Sequence, residues 1–339
     1  MPLRLIELAI PSQEIQRIPA LLKDIRIIQI WTPGSAGAGD HVRILLDAEH
    51  AEGLSDVLVR HFGSRENFRL ISLPVEATVP PVEPPAESKA PVGETAAPAK
   101  GGTPRISREE LYEDLEQASR LTPVYIVTIV LSTVVAAVGL IRGDIAIVIG
   151  AMVIAPLLGP NVALSLASTL GDPDLARRSL RTIGVGVATA AALSLLLGAV
   201  LTIDPFSPEL AARTRAGVGD VILALAAGSA GTLAFTSGVP AVVVGVMVSV
   251  ALLPPLVVAG LLAGAGYGMQ ATGAFILILT NVTCINLAAV ATFLVLKVRP
   301  RTWWEEERAR KATRLAVATW VIMLAIVLGL MLSGYVEGG

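Results

Sequence analysis

Charged side chains are scarce in this 339-residue chain: Asp, Glu, Lys and Arg make up 16% of it, where an ordinary soluble domain carries about 25%. Hydrophobic residues make up 53%, too many for one soluble core. The balance excludes a soluble globular enzyme, a disordered protein and a nucleic-acid binder with a basic face. Cysteine occurs once, as Cys284, so there is no disulfide framework and no multi-cysteine metal site within one chain. The only histidines, His41, His50 and His61, all precede the apolar part of the sequence. A phosphate-binding Gly-Lys-Ser/Thr loop, an HExxH motif and paired intramembrane aspartates are all missing. We expect no enzymatic role, no cofactor and no resident metal.

What is present is long apolar sequence. Leu121–Ile141, Ile145–Gly171, Thr182–Ile203, Val221–Leu296 and Leu315–Val336 contain no Asp, Glu, Lys, Arg or His. A spanning helix needs roughly 20 mostly apolar residues. Four windows therefore hold one span each, and Val221–Leu296 is long enough for three, which predicts seven spans. The fold class expected is a polytopic all-α membrane bundle behind a small soluble α+β domain.

That first domain, residues 1–79, alternates charge with apolar residues. Strand-like runs occur at Leu3–Ile10, Ile25–Trp31, His41–Ala48 and Phe68–Val75, with helix-like segments at Ser12–Lys23 and Ala51–Phe62. The order β-α-β-β-α-β predicts a ferredoxin-like domain. Pro33–Asp40 reads as a hairpin loop. Arg4 and Glu7 interrupt the first apolar run, so it is no signal peptide. Residues 80–105, rich in Pro and Ala, read as a tether. Residues 106–120 follow as an amphipathic helix at the membrane surface.

Basic residues set the expected orientation. With the N-terminal domain in the cytoplasm, thirteen Lys and Arg residues around the spans lie inside: Arg105, Arg108, Arg120, Arg177, Arg178, Arg181 and seven between Lys297 and Arg314. Only Arg142, Arg213 and Arg215 lie outside. This is a strong positive-inside bias. It predicts a multi-pass protein of the bacterial cytoplasmic (inner) membrane with its C-terminus outside. Residues 298–313, with Trp303-Trp304 and the i,i+4 pairs Glu306–Arg310 and Glu307–Lys311, read as an interfacial helix. The seventh span covers 314–335.

Residues 143–160 and 238–255 align without a gap at an offset of 95, with nine of eighteen positions identical, among them Gly150/Gly245, Met152/Met247, Leu158/Leu253 and Pro160/Pro255. Composition alone predicts about two or three. Each repeat, 121–202 and 216–297, holds three spans. An odd number turns the second copy upside down, the plan of many secondary transporters. The prolines fall part-way along the second and fifth spans. Proline removes a donor and clashes one turn back, so breaks are expected at Gly159-Pro160 and Pro254-Pro255. A helix restarting there has free N–H groups and a positive end. Those groups need protein, water or a ligand as partner. The candidate solute-binding residues are therefore Gly159, Pro160, Asn161, Pro254 and Pro255, joined by Thr280, Asn281, Thr283 and Asn286 in the sixth span. The alternative for the prolines is packing kinks, and for the amides it is glue between helices. Arg177, Arg178 and Arg181 are a candidate cytoplasmic gate or a lipid-headgroup contact. No titratable group lies inside a span, so the usual proton relay is missing. A small polar or anionic solute fits best.

The segments from Gly150 to Pro160 (GAMVIAPLLGP), Gly171 to Asp174 (GDPD), Arg178 to Leu180 (RSL), Val250 to Pro255 (VALLPP), and Thr280-Asn281 with Ile285-Asn286-Leu287 resemble the hydrophobic membrane proteins called domain of unknown function 389. The resemblance covers about residues 110–300. It implies a polytopic prokaryotic membrane protein and marks Gly159, Pro160, Asn161, Pro254, Pro255, Asn281 and Asn286 as family-typical, without assigning them roles. The sequence leaves three readings: a transporter or channel-like facilitator, a membrane-anchored sensor or scaffold, and a lipid-handling protein. The lipid bilayer, a small solute and a second copy of the chain are the expected partners, the last suggested by the small pair Gly184 and Ala188.

Overall fold

A computed structural model describes residues 3–10, 12–23, 25–32, 41–65, 68–75, 78, 108–237, 252–298 and 303–332. The chain divides into two compact units, Met1–Arg108 and Glu109–Gly339.

The first unit contains strands β1 (Leu3–Ala9), β2 (Gln29–Trp31), β3 (Val42–Asp47) and β4 (Arg69–Val75), and helices α1 (Ser12–Ile15), α2 (Ile18–Leu21) and α3 (Ala48–Phe62). The strands form one antiparallel sheet in the order β2-β3-β1-β4. Side chains alternate along β1: Ile6 and Leu8 are buried with Ile18, Ile44, Leu46, Leu54, Leu58 and Phe62. Glu7 faces the other way and pairs at 3.1 Å with Arg43, its neighbour in register. Pro74 is accommodated because β4 is an edge strand. The helix expected over Ser12–Lys23 is two short turns instead. Pro19 has no N–H to continue the first and sits at the start of the second. The expected hairpin loop, residues 33–40, and the tether, residues 80–105, lie outside the described residues.

The second unit is helical: α4 (Arg108–Ala118), α5 (Pro123–Arg142), α6 (Ile145–Ile154), α7 (Leu158–Leu170), α8 (Pro173–Val200), α9 (Pro208–Ala211), α10 (Val218–Thr236), α11 (Leu253–Gly264), α12 (Gly268–Val295) and α13 (Trp303–Leu332). Among the described residues, α5, α8, α10, α12 and most of α13 are each long and apolar enough to cross a membrane, and α6 with α7 makes a sixth, bent span. The first half of the expected fifth span, and with it the count of seven, falls on residues 238–251, outside the described residues. Local chemistry sets the ends. Thr122 accepts from the Tyr125 N–H to open α5, and Asp144 and Asp172 do the same for α6 and α8. Gly143 closes α5 at φ 68°, a left-handed turn open to glycine.

Helix boundaries repeat at the 95-residue offset. Pro123 and Val218, Leu158 and Leu253, and Pro173 and Gly268 are starts; Val200 and Val295 are ends. Gly171 and Gly266, also 95 apart, both turn left-handed, at φ 71° and 89°. Across the halves, α11 packs on α8 and α7 packs on α12. Helix α12 is the most buried of the long apolar helices and α13 the most exposed.

Candidate functional site

Helices α6 and α7 meet at an angle of 50° across Ala155–Leu157. Pro156 makes the break. It disfavours helical geometry in the residue before it, and Ala155 is accordingly extended, with ψ at 118°. The break thus precedes Gly159-Pro160, where the sequence led us to expect it. Gly159 and Pro160 lie in the first turn of α7, and Pro254 and Pro255 lie in the first turn of α11, where proline is tolerated. Whether a break precedes α11 concerns residues outside those described.

This placement changes the chemistry. A helix start presents four N–H groups without intrahelical partners. Pro160 deletes one of them in α7, and Pro254 with Pro255 deletes two in α11. Neither helix has a side-chain cap. The start of α7 is the better endowed: among the described residues no carbonyl accepts from the N–H of Leu158 or Gly159.

One helical turn on, Asn161 donates from Nδ2 to the Leu157 carbonyl at 2.8 Å. Its Oδ1 accepts from Asn286 Nδ2 of α12 at 3.2 Å. Asn286 Nδ2 also donates to the Val282 carbonyl at 2.8 Å, and its Oδ1 accepts from the Ser165 hydroxyl at 3.0 Å. All three side chains are buried. The broken span is therefore tied to α12 by a closed amide–hydroxyl network. Ser165 was not expected from the sequence, although i+4 from Asn161 is the same helix face. The network belongs to one half only: at the 95-residue offset, Asn161, Ser165 and Asn286 correspond to Leu256, Gly260 and Ala191.

The other candidates fall elsewhere. Thr280 and Thr283 are buried and donate to carbonyls of their own helix, Ile276 at 2.8 Å and Leu279 at 2.6 Å. Asn281 is buried about 140° around α12 from Asn286. Pro254 and Pro255 are buried in α11. There small residues let backbones meet: a β-carbon on Gly264 would lie 2.0 Å from the Leu195 carbonyl oxygen, and one on Gly198 would lie 2.1 Å from that of Leu261.

Arg177 and Arg181 are exposed, while Arg178 pairs with Glu116 of α4 at 2.7 Å. Helix α4 does more than lie on a surface. Tyr112 donates to Asp172 at 2.6 Å, and Thr182 donates to the Ser119 carbonyl at 2.6 Å. Burial, and then the hydrogen bond to Asp172, push the Tyr112 phenol well above its usual range. A raised value means that the neutral phenol is the form the fold favours. Its contribution is complete below about pH 10 and is lost as pH rises through the folded value. Absorbance titration of phenolate should show one fewer high-pH step in Tyr112→Phe than in the wild type, with the steps below it unchanged.

Three comparisons place the chain. The family described as domain of unknown function (DUF389) matches residues 152–287, from the end of α6 through Asn286. An uncharacterized protein of Methanocaldococcus jannaschii is 35% identical over 334 residues, covering 98% of this chain and 99% of that protein. No solved structure matches. The match to the relative runs the length of the chain, and the family segment covers the break, α7 and both partners of its polar network: the chain belongs to the DUF389 family.

Proposed function

We propose that this protein is a transporter or channel-like facilitator for a small polar or anionic solute, which passes where α6 gives way to α7. One observation carries the reading. An otherwise apolar span is interrupted, and a buried network of neutral amides joins its second half to the central helix α12. Breaking a helix in hydrocarbon strands backbone groups, a cost that packing alone does not call for. Solute sites in secondary transporters use such half-helix starts. The matching helix boundaries at the 95-residue offset support an inverted repeat, because three spans per half would reverse the second copy. The positive-inside pattern supports a bacterial cytoplasmic membrane with the N-terminus inside. Gly184 and Ala188, both exposed on α8, suit a homo-oligomer contact. Arg177 and Arg181 suit lipid headgroups.

A second reading is a membrane-anchored sensor whose first unit binds a ligand or partner. The sheet order β2-β3-β1-β4 with two helical crossovers supports a ferredoxin-like fold for that unit, a module able to serve either reading. Flux from proteoliposomes of the full chain separates them. A panel of glycerol, urea, chloride and inorganic phosphate should include at least one permeant. Asn161→Ala should slow it by about tenfold, the effect of removing roughly 1.4 kcal/mol of interaction. Silence across the panel, with the protein folded, would leave the sensor reading standing.

A further inference from the structure

We propose that α4 is an intrinsic strap over the half-helix α7, and that it must lift for the break to open. The strap touches α7 at its start and is fastened past its end to the first turns of α8. Near its start, Gly159 has no side chain because Ala118 fills the space: a β-carbon on Gly159 would lie 2.7 Å from the Ala118 methyl. Just past its end, Asp172 accepts from Tyr112, while Oδ1 of the same carboxylate accepts from the Asp174 and Leu175 N–H groups that open α8. Further along α8, Arg178 pairs with Glu116, and Thr182 donates to the carbonyl of Ser119, the residue after α4. The order along α4 is the reverse of that along α7: Tyr112 reaches the far end and Ala118 the start. The carbonyl end of α4 therefore lies beside the amino end of α7, so the two dipole ends compensate each other. Ala118 of the strap sits, in place of a solute, against Gly159 in the turn whose Leu158 and Gly159 N–H groups have no carbonyl acceptor among the described residues.

The fastenings suit a release mechanism. The polar ones are few and at the edge of the apolar helices, beside the buried Leu111 and Leu115 of the same helix, and elements with few contacts open at lower free energy than packed cores. The role as a gate rests on the transport reading; the restraint itself does not.

Hydrogen exchange of the full chain in lipid nanodiscs tests the restraint. In Tyr112→Phe combined with Glu116→Gln, amide exchange across 157–165 should rise about tenfold, with α12 unchanged. Exchange that rises within α4 alone would overturn the strap, since α7 would then hold its place unaided. Should the double variant loosen every helix, Ala118→Gly decides. It removes only the methyl against Gly159, and unchanged exchange across 157–165 there also refutes the proposal. Exchange needs no solute. Faster exchange in a protein that moves nothing on the panel would keep the strap and sink the transport reading.

Discussion

Alanine at Gly264 or at Gly198 is expected to destabilise the helical unit by about 2–3 kcal/mol, the upper part of the range for overpacked cores. Each new β-carbon would meet a backbone oxygen: the Leu195 carbonyl at 2.0 Å for Gly264, the Leu261 carbonyl at 2.1 Å for Gly198. A carbonyl inside a helix cannot swing aside as a side chain can, so the helices must separate. Separation also loses dispersion contacts along the crossing, the main attraction between helices in lipid. Gly260 should behave differently. Its β-carbon would strike the Ser194 hydroxyl at 1.8 Å and Ser194 Cβ at 2.6 Å, so removing that side chain makes room. Gly260→Ala should therefore be severe alone and much milder with Ser194→Gly, whereas Gly264→Ala should gain nothing from Ser194→Gly. Unfolding midpoints in mixed micelles, titrated with SDS, would measure these five variants and Ser194→Gly alone. Additivity of Gly260→Ala with Ser194→Gly would mean that this crossing is looser than the distances say.

The apolar helices and their order were legible because a charge-free stretch of membrane length is stable in few places besides a bilayer. The 95-residue repeat was legible because Gly171 and Gly266 stand at matched left-handed turns that favour glycine, and Leu158 and Leu253 stand at matched helix starts. The position of the break was not. Gly159-Pro160 looked like the interruption, but the residue that acts is Pro156, through its effect on Ala155. A proline disturbs the backbone before it more than the backbone after it. The same geometry reverses part of the electrostatic argument: prolines in a first turn mark where a helix restarts and delete the donors a restart would offer. The role of α4 was also hidden. Its sequence shows an amphipathic helix, but the partners that make it a strap, Asp172, Arg178 and Gly159, lie 40 or more residues away. Nothing in local periodicity encodes which buried face meets which. Asn286 was legible as a buried amide, but its partner Ser165 is one of two serines in α7, and the sequence does not say which of them meets α12.

Leucine at Asn286 should be the most damaging polar substitution in the chain, costing about 2–3 kcal/mol and abolishing flux if the transport reading holds. The magnitude follows from what is left behind. Asn286 donates to Asn161 Oδ1 and to the Val282 carbonyl, and accepts from Ser165. Interhelical hydrogen bonds in membranes contribute about 0.6 kcal/mol each, so the bonds alone give less than 2. The remainder comes from Asn161 Oδ1, which leucine leaves buried without its donor. The Ser165 hydroxyl has another acceptor within reach, the Asn161 carbonyl at 3.2 Å, so Asn286→Leu does not orphan it; Ser165→Ala, which takes the hydroxyl donor from the buried Asn286 Oδ1, should cost about 1–2 kcal/mol. Pairing Asn286→Leu with Asn161→Leu should recover part of the loss, because the orphaned oxygen goes too. Recovery stays partial because Asn161 also holds the Leu157 carbonyl at the break. A double-mutant cycle read by SDS unfolding would give a coupling of about 1 kcal/mol between the two asparagines. A coupling near zero would mean that the broken span is held to α12 by packing alone, and that its buried amides serve something other than the junction.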